Sequence, residues 1–268
     1  MNDREIPVDL LEKIRPKTCD NLYKYRSVNK CLKRIILDQE IYFASPTEFN
    51  DPFDCYPRIT YYRDHSKQHK FFLNELIREQ PDKAVPELDK IARLMIDSSY
   101  WADESIRDNF HKTVQNYGIF SMAQKNDNLL MWSHYADSHK GVCLEFDSRD
   151  TSNVFGEAIM VQYQKEYPKV NVMALGNFRD TINAFGVKSA DWKYEKEWRI
   201  IRAQVFGGRG IYKFEPDQLV GVILGAKICP RQEEKVLSWV AKYPRQLKVY
   251  RAKINSRKYK VDIVANET

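Results

Sequence analysis

The chain of 268 residues and 31.7 kDa is long enough to bury a sizeable core. Its 43% hydrophobic and 30% charged residues, with 11 Pro and 10 Gly, exclude a disordered or collagen-like polymer. Lys and Arg exceed Asp and Glu by +6, which permits a polyanionic partner without requiring one. No apolar run approaches the roughly 18 residues of a membrane helix, and the start MNDREIPVDL is too charged for a secretion signal, so the expected setting is the cytosol with no membrane partner. The five cysteines, Cys19, Cys31, Cys55, Cys143 and Cys229, are never spaced CxxC and read as reduced thiols, with no structural zinc.

Residues 3–14 read as a short helix, and residues 22–26 (LYKYR) alternate as a strand. Ser27 is placed to cap a helix through VNKCLKRIILDQ, and residues 41–44 form a second strand, stopped by Pro46 and the Asn50-Asp51-Pro52 turn. From about 65 to 117 the sequence is polar, with Phe72 and Leu76, then Leu88, Ile91, Leu94 and Met95, at three- and four-residue spacing. That pattern predicts amphipathic helices inserted into one domain over residues 1–268, since no repeat or linker marks a boundary. GIFSMA at 118–123 reads as a strand and NLLMWSHYA at 128–136 as a short helix. GVCLEF at 141–146 and AIMVQY at 158–163 read as strands, followed by a helix through 169–185. EKEWRIIRA at 195–203, GIYKF at 210–214 and LVGVILG at 219–225 then follow as strands, with Gly207–Gly210 turning the first into the second. Pro230 opens a helix, and LKVYRAKI at 247–254 closes the fold. Mixed strands flanked by helices predict an α+β fold.

The strongest chemical signal is WKYEKEWR at 192–199. On a strand, Glu195, Glu197 and Arg199 would share one face, with the carboxylates about 7 Å apart. Such a pair orients a sugar hydroxyl or acts as a base, because mutual repulsion and a nearby cation push the two pKa values apart. A lone ExE is more often a cross-strand ion-pair network on a solvated face. A second cluster holds Trp132, Ser133, His134, Tyr135 and His139. Ser133 and His134 are adjacent on a helix and diverge by about 100°, which rules out a serine-hydrolase pair, and the five-residue step from His134 to His139 is not that of a helical zinc pair. In the third cluster, Arg26 at a strand end before Ser27 suits a phosphate, with an ion pair to Asp51 or Asp54 as the equal alternative. Asp51 and Asp54 suggest a divalent metal less than they suggest a turn. Neither GxGxxG nor GxxxxGK[ST] occurs. The basic stretch from Lys248 to Lys260 suits a nucleic-acid backbone or, more ordinarily, a solvated edge.

The segments LYKYRS (22–27), IYFASPTEFNDPFD (41–54), LLMWSHYADSHKGVCLEFD (129–147) and WKYEKEWR (192–199) together resemble an uncharacterised bacterial family, domain-of-unknown-function family 2971. The order of elements is also similar to ADP-ribosyltransferases. That resemblance implies a mainly antiparallel split sheet and NAD as a substrate. It places Arg26, with Ser27 and Tyr25, on the dinucleotide, Ser121 at the second motif, and Glu195 and Glu197 as the catalytic ExE. His134, Tyr135 and Arg199 would complete the NAD contacts, and Tyr135 or Tyr25 would stack the nicotinamide. The chain departs from the pattern in having Ser121-Met122-Ala123 where a serine-threonine-serine triplet would stand, and in placing Arg199 beside the carboxylate. The resemblance implies a nucleic-acid or protein acceptor and a role as a bacterial toxin or phage-defence effector. A metal-dependent nuclease built on Asp51, Asp54, Glu145, Glu195 and Glu197, and a non-catalytic nucleotide- or protein-binding module, are the competing expectations.

Overall fold

The computed structural model describes residues 19–97, 103–174 and 178–266, and the helix expected over 3–14 lies outside them. The first half of the chain runs β1 (Asn21–Arg26), α1 (Lys30–Asp38), β2 (Glu40–Phe43), β3 (Arg58–Thr60), α2 (His65–Glu79), α3 (Val85–Asp97), α4 (Asp103–Val114), β4 (Gly118–Ala123), α5 (Leu129–Tyr135) and β5 (Val142–Asp147). The second half runs β6 (Ile159–Met160), β7 (Gln162–Gln164), β8 (Lys169–Asn171), α6 (Phe178–Phe185), β9 (Val187–Ser189), β10 (Glu197–Arg202), β11 (Gly210–Lys213), β12 (Leu219–Leu224), α7 (Pro230–Val240), β13 (Lys248–Ile254) and β14 (Val261–Ala265).

Eight strands form one sheet in the order β14-β13-β12-β5-β1-β4-β10-β6, so the fold is α+β. Every pairing is antiparallel except β12 with β13, which α7 connects as a crossover. Alternation sorts side chains between the faces. Leu22, Leu144, Val222 and Leu224 meet α1 and α7 through Ile36, Val236 and Trp239, while Tyr25, Cys143 and Ile223 meet α5 through Met131 and Trp132. Helices α2 and α3 pack mainly on each other through Phe72, Leu76, Leu88 and Ala92, with Met173 beneath them. All five cysteines are free, and among the described residues no helix is long and apolar enough to cross a membrane.

Several sequence expectations are corrected. The cap of α1 is Asn29, not Ser27: the Asn29 side chain accepts from the backbone N–H groups of Cys31 and Leu32 at 2.9 and 3.1 Å. The run 169–185 is not one helix. Lys169–Asn171 pairs in parallel with β3, and Asn171 turns the chain by accepting from the Met173 backbone N–H at 3.0 Å. Buried Val170 and Met173 stand three apart, which imitates a helical stripe. AIMVQY breaks into β6, which joins the large sheet, and β7, which pairs with β9. Strand β10 begins at Glu197, because Glu195 ends a 3-10 turn and Lys196 is left-handed at φ 45°. Strand β11 pairs with β2 and not with β10, and β14 lies beyond the strand expected to be last.

Candidate active site

Strands β1 and β4 are neighbours in the sheet but share a single register pair, Tyr23 opposite Ala123. Beyond it they part, and Lys24 Nζ reaches across to donate to the Ser121 carbonyl. A cleft of about 480 Å³ opens at this parting, within the size range of small-molecule sites. Arg26 and Glu197 fall on opposite faces of an ideal ladder, since Tyr23, Ala123 and Glu197 are in register and Arg26 is three residues on. The parting removes that separation, and Arg26, Ser27, Tyr25, Ser121, His134, Tyr135, Glu195 and Glu197 all line the one cleft. Gly141 holds the cationic lip in place, because a Cβ there would lie 2.2 Å from the Arg26 carbonyl oxygen.

Arg199 is the exception among the expected binding residues. Its side chain is 0% exposed, with donors committed to Glu197 (Nε to Oε1, 2.7 Å), to Asp54 (2.9 and 2.6 Å) and to the Phe185 carbonyl (2.7 Å). It cannot touch a ligand and acts as a positioning residue. Asp54 therefore pairs with Arg199 and not with Arg26.

Beside Arg199 sits Lys188, whose Nζ donates to Glu195 Oε2 at 2.6 Å and Glu197 Oε2 at 3.1 Å and lies 3.5 Å from Asp54. Three carboxylates against two cations leave one surplus negative charge in this buried cluster. The two glutamates respond in opposite directions. Burial works against ionisation of Glu197, but Arg199 and Lys188 overcome it and hold that carboxyl far below its ordinary value. At Glu195 burial prevails over the attraction of Lys188, and repulsion from Glu197 adds to it, so its pKa rises. Tyr135 donates to Glu195 Oε1 at 2.6 Å. Asn128 creates that contact: its Oδ1 caps α5 by accepting from the Leu130 and Met131 N–H groups, and its Nδ2 donates to the Tyr194 carbonyl at 2.6 Å. The helix bearing Tyr135 is thereby tied to the turn bearing Glu195.

The opposite lip is cationic. Arg26 has no ion-pair partner among the described residues, and its buried Nε has no hydrogen-bond acceptor. Burial lowers its pKa, although a guanidinium stays charged. Burial, reinforced by Arg26, pushes the Lys24 ammonium well below the usual lysine range against the pull of Glu197 and Glu195. An anion placed between the two would satisfy Arg26 and favour the charged form of Lys24.

The acids of the nuclease expectation do not make one metal site: Asp54, Glu195 and Glu197 gather around Lys188, while Asp51 and Glu145 have other partners. Asp51 accepts from the Phe53 N–H in a turn, Glu145 accepts from Asn21 and Tyr23, and Asp54 and Glu197 are paired with cations. Among the described residues no group of three or more His, Cys, Asp or Glu side chains is arranged to hold a metal ion. Sequence reading missed Lys188 and the bridging role of Asn128. The one available signal for Lys188 is that it is the only charged residue in 181–190, a segment otherwise apolar or small.

Comparison with curated proteins and with solved structures gives no match. Residues 131–200, from α5 through the first half of β10, match the family described as Protein of unknown function (DUF2971), and that span contains Tyr135, Lys188, Glu195, Glu197 and Arg199.

Proposed function

We propose that the cleft binds a dinucleotide of the NAD class and transfers its ADP-ribosyl group to an acceptor. The observation that carries this reading is the opposite charge of the two lips: an unpaired Arg26 faces a carboxylate cluster with one surplus negative charge. NAD has the same polarity, an anionic diphosphate joined to a cationic nicotinamide riboside. Arg26 with Lys24 would hold the diphosphate. Glu197, kept ionised, would stabilise the positive charge that grows on the ribose as the C1′–N bond breaks and nicotinamide leaves with the electron pair. The acceptor's nucleophilic atom then bonds to C1′, and its proton passes to Glu195, whose raised pKa suits a base. Tyr135 orients that carboxylate. The resemblance to ADP-ribosyltransferases supports the reading by analogy of element order and ExE spacing, and it frames the protein as a bacterial toxin or phage-defence effector.

The test is nicotinamide release from NAD, with nucleic acid and protein acceptors present. Wild-type protein should turn NAD over, Glu197→Gln should keep NAD affinity while losing most release, and Arg26→Ala should weaken NAD binding. Wild-type protein that neither binds nor cleaves NAD would overturn the proposal.

A further inference from the structure

On the far side of Lys188 lie two more cavities. Lys188 lines the cleft and also an inner cavity of about 400 Å³ that includes Phe53, Tyr56, Tyr167 and Trp192. Tyr56 and Tyr167 in turn line an outer groove of about 640 Å³ with Arg58, Arg63 and His111. The three hollows therefore form a series that shares walls.

Two independent features of the outer groove point to a ligand. The first is aromatic surface left in solvent: Tyr56 is 39% exposed, Tyr167 is 47% exposed, and Phe53 of the inner cavity is 63% exposed. Tyr56 has Tyr167 edge-on at 5.9 Å and His111 tilted against it at 5.6 Å, so aromatic rings succeed one another along the groove. The second is uncompensated positive charge. Arg58 on β3 stands directly opposite Lys169 on β8, a like-charge cross-strand pair that costs stability unless an anion sits between. Among the described residues neither of these two, nor Arg63, has a carboxylate within ion-pair distance, and no carboxylate lines the groove. Carboxylates enter only in the inner cavity, as Asp51, Glu166 and Asp191. Phosphates are thus favoured outside, and ring stacking continues inward.

We propose that this groove binds single-stranded nucleic acid, with Arg58 and Arg63 on the phosphates, Lys169 beside Arg58 adding positive charge at its edge, and Tyr56 and Tyr167 stacking successive bases. A duplex hides its base faces, and a compact mononucleotide would use only one ring. The run of rings past Tyr56 and Tyr167 toward Trp192 fits a strand. That the strand is the ADP-ribosyl acceptor, delivered to the cleft past Lys188, rests on the function proposed above. Binding by the groove does not.

The experiment is fluorescence anisotropy of the full chain with labelled single-stranded DNA and RNA of about 12 nucleotides, the matching duplex, and free AMP, at about 50 and 200 mM salt. Single strands should bind more tightly than duplex or AMP, and more weakly at the higher salt. Arg58→Glu with Arg63→Glu, and separately Tyr56→Ala with Tyr167→Ala, should each reduce affinity about tenfold or more. These side chains are solvent-facing, and thermal melts of both double variants should match wild type. Strand binding is measured without NAD, which separates failure of the groove from failure of the transferase reading. Arg257→Glu with Lys258→Glu, in the exposed hairpin between β13 and β14, should leave strand binding unchanged. No strand binding at low salt, a duplex or AMP preference, indifference to the groove substitutions, or loss through the hairpin pair instead would overturn the proposal.

Discussion

Glu195 and Glu197 are two positions apart, both buried and both bonded to Lys188, and differ in their remaining partners. Glu197 meets both cations, whereas Glu195 has one end on Lys188 and the other on a tyrosine hydroxyl. Their effects on stability run in opposite directions with pH. The contribution of Glu195, whose folded pKa is raised, is fully present below its ordinary 4.5 and is lost as pH climbs from there to the folded value. The contribution of Glu197, whose folded pKa is depressed, is present above 4.5 and is lost as pH falls below it. Urea unfolding across pH should therefore show that Glu195→Gln removes a decline of stability above 4.5 and leaves the acid limb in place. If Glu195 is the base toward the acceptor, ADP-ribosyl transfer to that acceptor should rise with pH through the same window, and Glu195→Gln should abolish that limb. Arg199→Ala should cost about 3–5 kcal/mol, because it strands Asp54 and Glu197 as buried charges facing Lys188 alone. A loss under about 1 kcal/mol in chemical denaturation would show that the cluster is solvated.

At the level of elements, two short devices build the site, and each can be tested alone. Asn128→Ala removes the α5 cap and the bond to the Tyr194 carbonyl, so it should cost about 1–2 kcal/mol by the capping term. It should also shift the pH limb of activity, because Tyr135 is released from Glu195. A stability loss with an unchanged pH profile would confine Asn128 to capping. After α5 the chain passes through three successive left-handed residues, Asp137, Ser138 and His139 at φ 48°, 53° and 69°. Ser138→Gly should therefore stabilise the protein by about 1 kcal/mol in thermal melts, and any loss there would mean that the hydroxyl makes up for the strain. These devices also mark where sequence reading succeeds. Strands β4 and β12 are largely apolar on both faces, β5 alternates apolar Val142, Leu144 and Phe146 with Cys143 and Glu145, and α7 begins at a proline, so pattern alone locates them. The unbroken alternation of EKEWRIIRA places Glu195 on a strand, and the left-handed Lys196 that ends the turn carries no glycine or asparagine to announce it. The pairing of β11 with β2 and of β8 with β3 depends on contacts remote in sequence, which no local periodicity encodes. The candidate residues of the cleft are legible because Arg26 and Tyr135 close readable elements and Ser121 lies within one. Lys188 is not, since its partners lie on other elements.

At the scale of the molecule, the parting of β1 from β4 divides the large sheet into β14-β13-β12-β5-β1 and β4-β10-β6, joined at that seam by one register pair. Across it run the Lys24 contact to the Ser121 carbonyl and the bond from the Tyr25 hydroxyl to the Lys125 carbonyl at 2.8 Å. A ligand in the cleft touches both halves, so it should act on global stability as well as on the local lining. With free ligand at about 100 times Kd, a dinucleotide that binds only the folded chain adds about 2.7 kcal/mol. For a domain of this size that is a rise of roughly 5–10 °C in Tm. Arg26→Ala should cancel most of the rise with little change in the ligand-free Tm, because Arg26 has no partner to lose. Adenosine, which lacks the diphosphate, should give a much smaller rise than NAD. A Tm insensitive to NAD, or a rise that survives Arg26→Ala, would separate the cationic lip from dinucleotide binding and leave the seam as a feature of the fold alone.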